Sequence, residues 1–446
     1  MRERNRMNII YLHTHDSGRF FSPRGYQDMT PEIDAFSKTA MVFQQAYCAA
    51  PTCSPSRAAL LTGQSPHACG MTGLAHIGTG WRLNEYRHHL ASFLRENGYE
   101  TVLCGIQHEA PITEMIGYSQ IIGRRHLMNE KKNVMESLDY DNTQTACEYL
   151  RAHVNANSPF FLSVGLFSTH REFPAEIGSV DLQRICVPKQ LPDCAQIRDD
   201  FAHFQASLRV ADNCIGKIIQ AVRDYGLENN TMILLTTDHG IAFPRMKCTL
   251  YDDGIGVNLI IRIPGITKQG STDVLVSHLD VFPTICDVIG VAKPEWLEGY
   301  SMLPYLTGTA DRVRDAIFAE VTYHVSYEPQ RCVRTERYKL IRYFENAVKM
   351  APANIDDSMS KELLVSNGFL EQHRDEVCMY DLLLDPCERV NLAYDPGHQD
   401  IRDSMEKMLE RWMLDTNDPL LNGHVCEPGN SYSLPSTVLS PKELKL

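Results

Sequence analysis

No stretch of this sequence stays apolar for long. The first run, Ile9 to Leu12, is too short for the core of a secretory signal, and nothing later approaches the roughly 20 apolar residues of a membrane helix. A cytoplasmic location with no membrane partner is the expectation. Nor is there an excess of positive charge: 43 lysines and arginines face 56 aspartates and glutamates, a formal net charge of −13. That balance argues against a general surface for nucleic acid or anionic lipid, so an anionic substrate must be drawn by a local cluster of positive groups. The 14 cysteines include no CxxC pair. In a long chain with no secretory signal they read as mostly reduced, buried thiols. No fixed-period repeat or low-complexity block is present. The 446 residues, 43% apolar and 22% charged, suffice for one large α/β domain plus a smaller one.

Five short runs read as buried strands: NIIYL (8–12), TVLC (101–104), FFLSVGLF (160–167), MILLTT (232–237) and NLIIRI (258–263). Helical patterns lie between them. TPEIDAFSKTA offers Thr30 as N-cap and Pro31 at the first helical position. Over 198–224, Phe201, Phe204, Leu208, Ala211, Ile215, Ile219 and Val222 recur at three- and four-residue spacing, one apolar helix face. Alternating strands and helices predict an α/β fold, a large mostly parallel sheet sandwiched by helices. Beyond about residue 325 the texture changes. QRCVRTERYKLIRYF reads as a hairpin, CMYDLLLDPCERVNLA as a strand and turn, and DIRDSMEKMLERWMLDT as an amphipathic helix. The expected organisation is a catalytic domain over 1–325 and an α+β subdomain with an antiparallel sheet over 326–420. An extended tail over 421–446 would suit a contact between copies in a homo-oligomer.

Ligands of open parallel sheets bind beyond the carboxyl ends of the strands. Here those ends deliver His13, His15 and Asp16 from HTHD, His108 from GIQH, His170 and Arg171 from STHR, and Asp238 and His239 from DHG. One such histidine would be unremarked; four ends together point to a site. Asp16, Asp238 and His239 offer the oxygen and imidazole donors of a divalent cation, with His15 a candidate fourth. Asp238 also suits a turn or a cap.

CSPSR at 53–57 belongs with this edge. Pro55 fits the first turn of a helix through Ala58–Leu61 that Thr62 and Gly63 would stop. Cys53 then sits at a helix N-terminus, where free N–H groups and the dipole favour an anion, and Arg57 follows one turn on.

CSPSR followed by LLTG resembles the C-x-P-S-R signature of type I sulfatases of the alkaline phosphatase superfamily, in which the cysteine is oxidised to formylglycine. TTDHG, VSHLDVFPTICDVIGV, LEGYSMLPYL and YDLLLDPCERVNLA are similar to further family landmarks. ENNTMILLTTDHGIAFPRMKCTLY and MLERWMLDTNDP point to the sulfamidase-like group. The resemblance implies hydrolysis of a sulfate ester or sulfamate through a covalent formylglycine–sulfate intermediate, one divalent metal with calcium as the family's usual ion, and a maturation enzyme that makes the formylglycine. It assigns the nucleophile to Cys53, which also faces the metal, and the metal to Asp16, Asp238 and His239. Arg57 would steady formylglycine and sulfate, His108 would help expel sulfate, and His170 and Lys247 would contact sulfate and leaving group. His324 falls where the subgroup places a substrate-pocket histidine, and Arg171 is a second candidate there.

Three positions depart from the family pattern. The usual paired aspartates are His15–Asp16, the fourth metal position is His239 rather than asparagine, and the lysine two residues before His108 is Ile106. Imidazoles shift the metal expectation toward manganese or zinc, with magnesium also open. Loss of the lysine leaves Lys247 and Arg57 more of the anion to hold. A phosphodiester or phosphonate monoester hydrolase on the same scaffold is the alternative reading, and a non-catalytic anion-binding descendant a more remote one. The substrate stays open between N- or O-sulfated sugars and aryl or steroid sulfates.

Overall fold

A computed structural model describes every residue except 1–6, 27–28, 77–79, 125–132, 267, 346–347, 430 and 444–446. Eight strands form the main sheet: β1 (Asn8–Thr14), β2 (Met41–Tyr47), β3 (Glu100–Gly105), β4 (Gln120–Ile122), β5 (Phe160–Gly165), β6 (Thr231–Thr237), β7 (Leu259–Arg262) and β8 (Gly270–Ser277). Their spatial order is β4-β3-β5-β1-β6-β7-β2-β8. β1 lies at the centre, with Ile10 opposite Leu162 of β5 and Ile233 of β6. Its alternate residues serve two cores: Ile9 and Tyr11 pack on one face, Ile10 and Leu12 on the other. A central parallel strand covered on both sides therefore reads as one continuous apolar run.

All five expected strands exist, but β7 is antiparallel to both its neighbours. After β6 the chain loops at the carboxyl end of the sheet and returns from that same end, without a crossover to the far side. β2, β4 and β8 escaped the sequence reading. Gln44 and Gln45 interrupt the apolar pattern of β2, and β4 and β8 are edge strands with exposed positions.

The long helix Ala195–Asp224 buries all seven residues of its expected face. Pro31 opens the helix Pro31–Ser37, yet Thr30 does not cap it. The Thr30 hydroxyl accepts from the Ser22 N–H, while the first-turn N–H groups of Glu32 and Ile33 donate to Asp212 of the long helix. A carboxylate on the neighbouring long helix thus replaces the local cap.

The second sheet comprises β9 (Ala316–Tyr323), β10 (Tyr327–Thr335), β11 (Tyr338–Tyr343) and β12 (Val377–Asp381), all antiparallel, in the order β12-β11-β10-β9. It begins at Ala316, ahead of the textural change. One face packs on the helix Gln399–Asp415 through Met405, Leu409 and Met413. The other, with Ala319, Val321, Cys332 and Ile341, joins a core shared with the main sheet. Within the tail, Leu434 is buried and bridges to Ser326 beside the end of β9. All 14 cysteines are unpaired, most of them buried. Among the described residues no helix is long and apolar enough to cross a membrane.

Candidate active site

The carboxyl ends of β1, β5 and β6 converge. Past β1, Asp16 adopts a left-handed backbone (φ 48°), a conformation aspartate tolerates better than most residues, and its N–H donates to Asp238 Oδ1 at 2.8 Å. Past β5, the N–H groups of Phe167 and Ser168 donate to the two Asp139 oxygens at 2.8 and 2.9 Å. The Thr169 N–H donates to the His15 carbonyl at 3.0 Å, which brings His170 alongside His15. Past β6, Gly240 permits a close approach: a Cβ there would stand 2.0 Å from the Asp253 carbonyl oxygen.

Cys53 opens the helix Cys53–Thr62, Pro55 lies in its first turn, and Gly63 (φ 68°) ends it in the left-handed region. Each polar residue of the motif has a partner. The Ala75 N–H donates to the Ser54 hydroxyl at 3.0 Å, tying in the loop that carries His76, and the Ser56 hydroxyl donates to the Asp238 carbonyl at 2.6 Å. Arg57 Nε donates to Asp238 Oδ2 at 3.1 Å, and the rest of its fork reaches His13 Nδ1 and the Thr14 carbonyl. Arg57 therefore braces β1 and β6 from below, and His13 belongs to that brace rather than to the open site.

Four donors meet above it. His15 Nδ1 lies 2.9 Å from Asp16 Oδ1 and 3.3 Å from Asp238 Oδ2. His239 Nε2 lies 3.2 Å from Asp16 Oδ1 and 3.7 Å from Asp238 Oδ2. Donors about 2.1 Å from a shared ion at right angles sit about 3 Å apart, so this set fits a divalent cation. Cys53 Sγ adjoins the same point, 3.4 Å from His239 Nε2 and 3.9 Å from Asp16 Oδ1. Lys247 closes one side, with Nζ 2.8 Å from Asp16 Oδ2 and 3.2 Å from Asp356 Oδ2.

The charges follow from this geometry. Burial pushes the Asp16 pKa up, but Lys247, then His239 and His15, outweigh it and hold the carboxyl well below its usual range. Asp238 is treated likewise by His239 and Arg57. Burial brings His15 down to about 4 against the pull of both carboxylates, so its ring is neutral. Burial and the two carboxylates push the Cys53 thiol up, although Lys247 opposes them. Burial opposes the Lys247 charge, but Asp16 and then Asp356 outweigh it.

Half-buried histidines line the mouth. His108 Nδ1 stands 3.3 Å from His15 Nε2, and the His76 ring centres 5.4 Å from that of His108. His170 packs edge-on to His15 at 4.6 Å, with a ring nitrogen within 4.8 Å of Cys53 Sγ. Its Nδ1 is bonded to the Arg171 carbonyl. His324 stands beside Lys247; burial first, then Lys247, lowers its pKa to about 3, and among the described residues its buried Nδ1 has no hydrogen-bond partner. Ile106 is buried.

Arg171 does not join the site as a substrate contact. Its fork pairs with both Asp200 oxygens at 2.8 and 2.9 Å and its Nε donates to the Ala242 carbonyl, all under the stacked ring of Phe173. The sequence reading missed Asp356 and His76. Neither follows a recognisable strand end, so no local signal marks them.

The sulfatase family model matches residues 8–291, and the model of the N-sulphoglucosamine sulphohydrolase C-terminal region matches 239–359. The chain is 26% identical to the N-sulphoglucosamine sulphohydrolase of Homo sapiens, over 94% of this chain and 92% of that protein. It is 28% identical to an ulvan-active sulfatase of Formosa agariphila, covering 88% and 76%. A delta 4,5-hexuronate-2-O-sulfatase of Bacteroides thetaiotaomicron shares 26%, covering 88% and 85%. Among solved structures, a 2-O GAG sulfatase superposes with a TM-score of 0.73 at 23% identity, over 99% of this chain and all of the other. With these matches covering both sheets and the whole strand-end cluster, this chain belongs to the sulfatase family of sulfuric ester hydrolases and carries a sulfamidase-like C-terminal region.

Proposed function

We propose that the chain hydrolyses a sulfate ester or sulfamate of a saccharide, using a formylglycine made from Cys53 by a maturation enzyme and one divalent cation. The observation that carries this reading is the position of Cys53, at a helix N-terminus and within 4 Å of the convergent Asp16 and His239 donors. The saccharide class draws support from relatives named for ulvan, N-sulphoglucosamine and hexuronate substrates, and from a structural neighbour solved with D-glucosamine-2-N,6-O-disulfate at a TM-score of 0.70.

Asp16, Asp238, His239 and His15 would hold the cation; two carboxylates with two imidazoles favour manganese or zinc, with magnesium behind them and calcium last. A hydrated aldehyde at position 53 would supply one hydroxyl to attack sulfur and a second to expel sulfate, and a bound cation would supply charge withdrawal from the sulfate oxygens. Arg57 keeps Asp238 ionised and aimed. His15 turns Nδ1 to the carboxylates, so its Nε2–H donates to His108 Nδ1 and orients that ring, and His108 handles the proton in the sulfate-release stage. His170 donates Nδ1–H to the Arg171 carbonyl, so its Nε2 is the atom that protonates the leaving oxygen. Lys247 places its ammonium on the sulfate, and His324 lines the leaving-group side.

The test is co-expression with a formylglycine-generating enzyme. The peptide carrying residue 53 should become about 18 Da lighter than its thiol form, in step with activity on a saccharide sulfate. Full activity in protein that retains only the thiol would overturn the reading. A phosphonate monoester turned over faster than every sulfate offered would move it to that reaction on the same scaffold, the alternative that His239 favours.

A further inference from the structure

We infer that Asp356 is a specificity-determining residue, reading the hydrogen-bond donors of the saccharide leaving group while it holds Lys247 in place. The inference rests on the saccharide-sulfatase reading above. Asp356 lies between the turn Pro352–Asn354 and the helix Met359–Ser366, outside the main sheet. Its loop is fixed on both sides. Asn354 Oδ1 accepts from the N–H groups of Val325 and Ser326 at 3.1 and 2.8 Å. Asp357 accepts from Lys361 Nζ at 3.0 Å and from the Ser440 hydroxyl. The Asp356 side chain is 19% exposed, and Lys247, Asp16, His170 and His324 of the site all lie close enough to act on its charge. Its Oδ2 is buried 3.2 Å from Lys247 Nζ, and among the described residues no hydrogen bond closes on the carboxylate.

A carboxylate is the wrong charge to recognise sulfate, because two anions a few ångströms apart repel. Its presence needs other work. Part of that work is on Lys247, which shares its ammonium between Asp16 and Asp356. Once Asp16 serves a cation, Asp356 is the carboxylate that keeps the ammonium at the site. The rest concerns the substrate. An ionised carboxylate accepts up to about four hydrogen bonds and donates none. Sulfate oxygens in an ester carry no proton to give it. The hydroxyl or amino groups next to the sulfated position of a sugar do, whereas an aryl leaving group offers none. A carboxylate at the mouth with unused acceptor capacity therefore matches a hexose or hexosamine sulfate with a free donor beside the scissile group.

The experiment compares wild-type holoenzyme, Asp356→Asn and Asp356→Ala on a glucosamine sulfate with free hydroxyls and on 4-nitrophenyl sulfate. Calorimetric titration with the desulfated sugar runs in parallel. Asp356→Ala should lose about 10- to 100-fold more kcat/KM on the sugar sulfate than on the aryl sulfate, mostly through KM. Binding of the desulfated sugar should weaken to match. Asp356→Asn, whose amide oxygen still accepts, should fall between, and it keeps the size of the side chain should the alanine variant fail to fold. Equal losses on both substrates with unchanged sugar binding would overturn the inference. A wild-type holoenzyme that cleaves neither sulfate would refute the sulfatase reading instead, and the sugar titration would then decide Asp356 alone: loss in the variants upholds it, and no wild-type binding overturns it.

Discussion

Two buried clusters use nearly the same residue types and push their histidines in opposite directions. At the strand ends, His15 and His239 meet Asp16 and Asp238. Elsewhere His67, just beyond the Cys53 helix, meets Glu320 of β9 and Asp418 after the C-terminal helix. The difference lies in where the permanent cations sit. In the first cluster each carboxylate beside the histidines has its own, Arg57 on Asp238 and Lys247 on Asp16, with Lys247 also reaching Asp356. His15 need not supply charge: burial decides, and its ring is left neutral, able to offer a lone pair to a metal. The second has only Arg331, whose fork holds Asp418 and reaches Glu320 at 3.5 Å. Burial disfavours a charge on His67, but Glu320 and then Asp418 outweigh it and raise its pKa, which favours a charged ring within this quartet. One cluster suits the proposed cation. The other ties the catalytic sheet to the second sheet.

The comparison breaks hardest at Asp238. Asp238→Ala removes a proposed metal donor and strands Arg57 as a buried charge without its carboxylate. Elemental analysis should find the cation lost, and kcat/KM should fall by about 10³-fold or more. Full metal content with activity intact would place the ligand set elsewhere. Arg331→Met is the matching break in the second cluster. It leaves two carboxylates with one histidine and should cost about 3–5 kcal/mol in denaturant unfolding, while kcat per folded molecule stays near wild type. A drop in kcat as large as the drop in stability would mean that the quartet also shapes the site.

The half-buried histidines of the mouth sharpen the contrast, since the proposed function gives them protons to handle rather than ligand or ion-pair roles. His170→Ala should reduce turnover of alkyl or sugar sulfates by about 10²-fold more than that of nitrophenyl sulfate, because a basic leaving alcohol depends more on a proton donor. His108→Ala should slow both alike and let a sulfated enzyme accumulate, seen by mass spectrometry after a quench. The reverse pattern would exchange the two roles.

The smallest effect is a pH dependence of stability. The folded pKa of His67 lies above its unfolded value of about 6.5, so its contribution is complete below that pH and is lost as pH rises through the folded pKa. The wild-type Tm should decline across that window, and His67→Gln should flatten the decline by about 1 kcal/mol or less. An unchanged pH profile in the variant would show that His67 stays neutral.

Sequence alone carried what is encoded locally. The continuous apolar runs of β1, β3, β5 and β6 require strands buried on both faces, and the seven spaced residues of 201–222 require one helix face. The residues that follow those runs then fall at the sheet's carboxyl edge for topological reasons, which is why His15, Asp16, His108, His170, Asp238 and His239 were legible. CSPSR was legible because its helix start, proline and arginine lie within one turn of each other. Other features were decided only in three dimensions. The reversed direction of β7 depends on where a 21-residue return ends, and the cap of the helix Pro31–Ser37 on an aspartate 179 positions away from Ile33. Arg171 adjoins His170 in sequence, yet Asp200 claims its guanidinium. Asp356 joins Lys247 only because the second sheet packs on the first. Periodicity and motif spacing report contacts within a few residues of each other. Which distant charge completes a buried group is set by packing, because only there does the cost of leaving it unpaired arise.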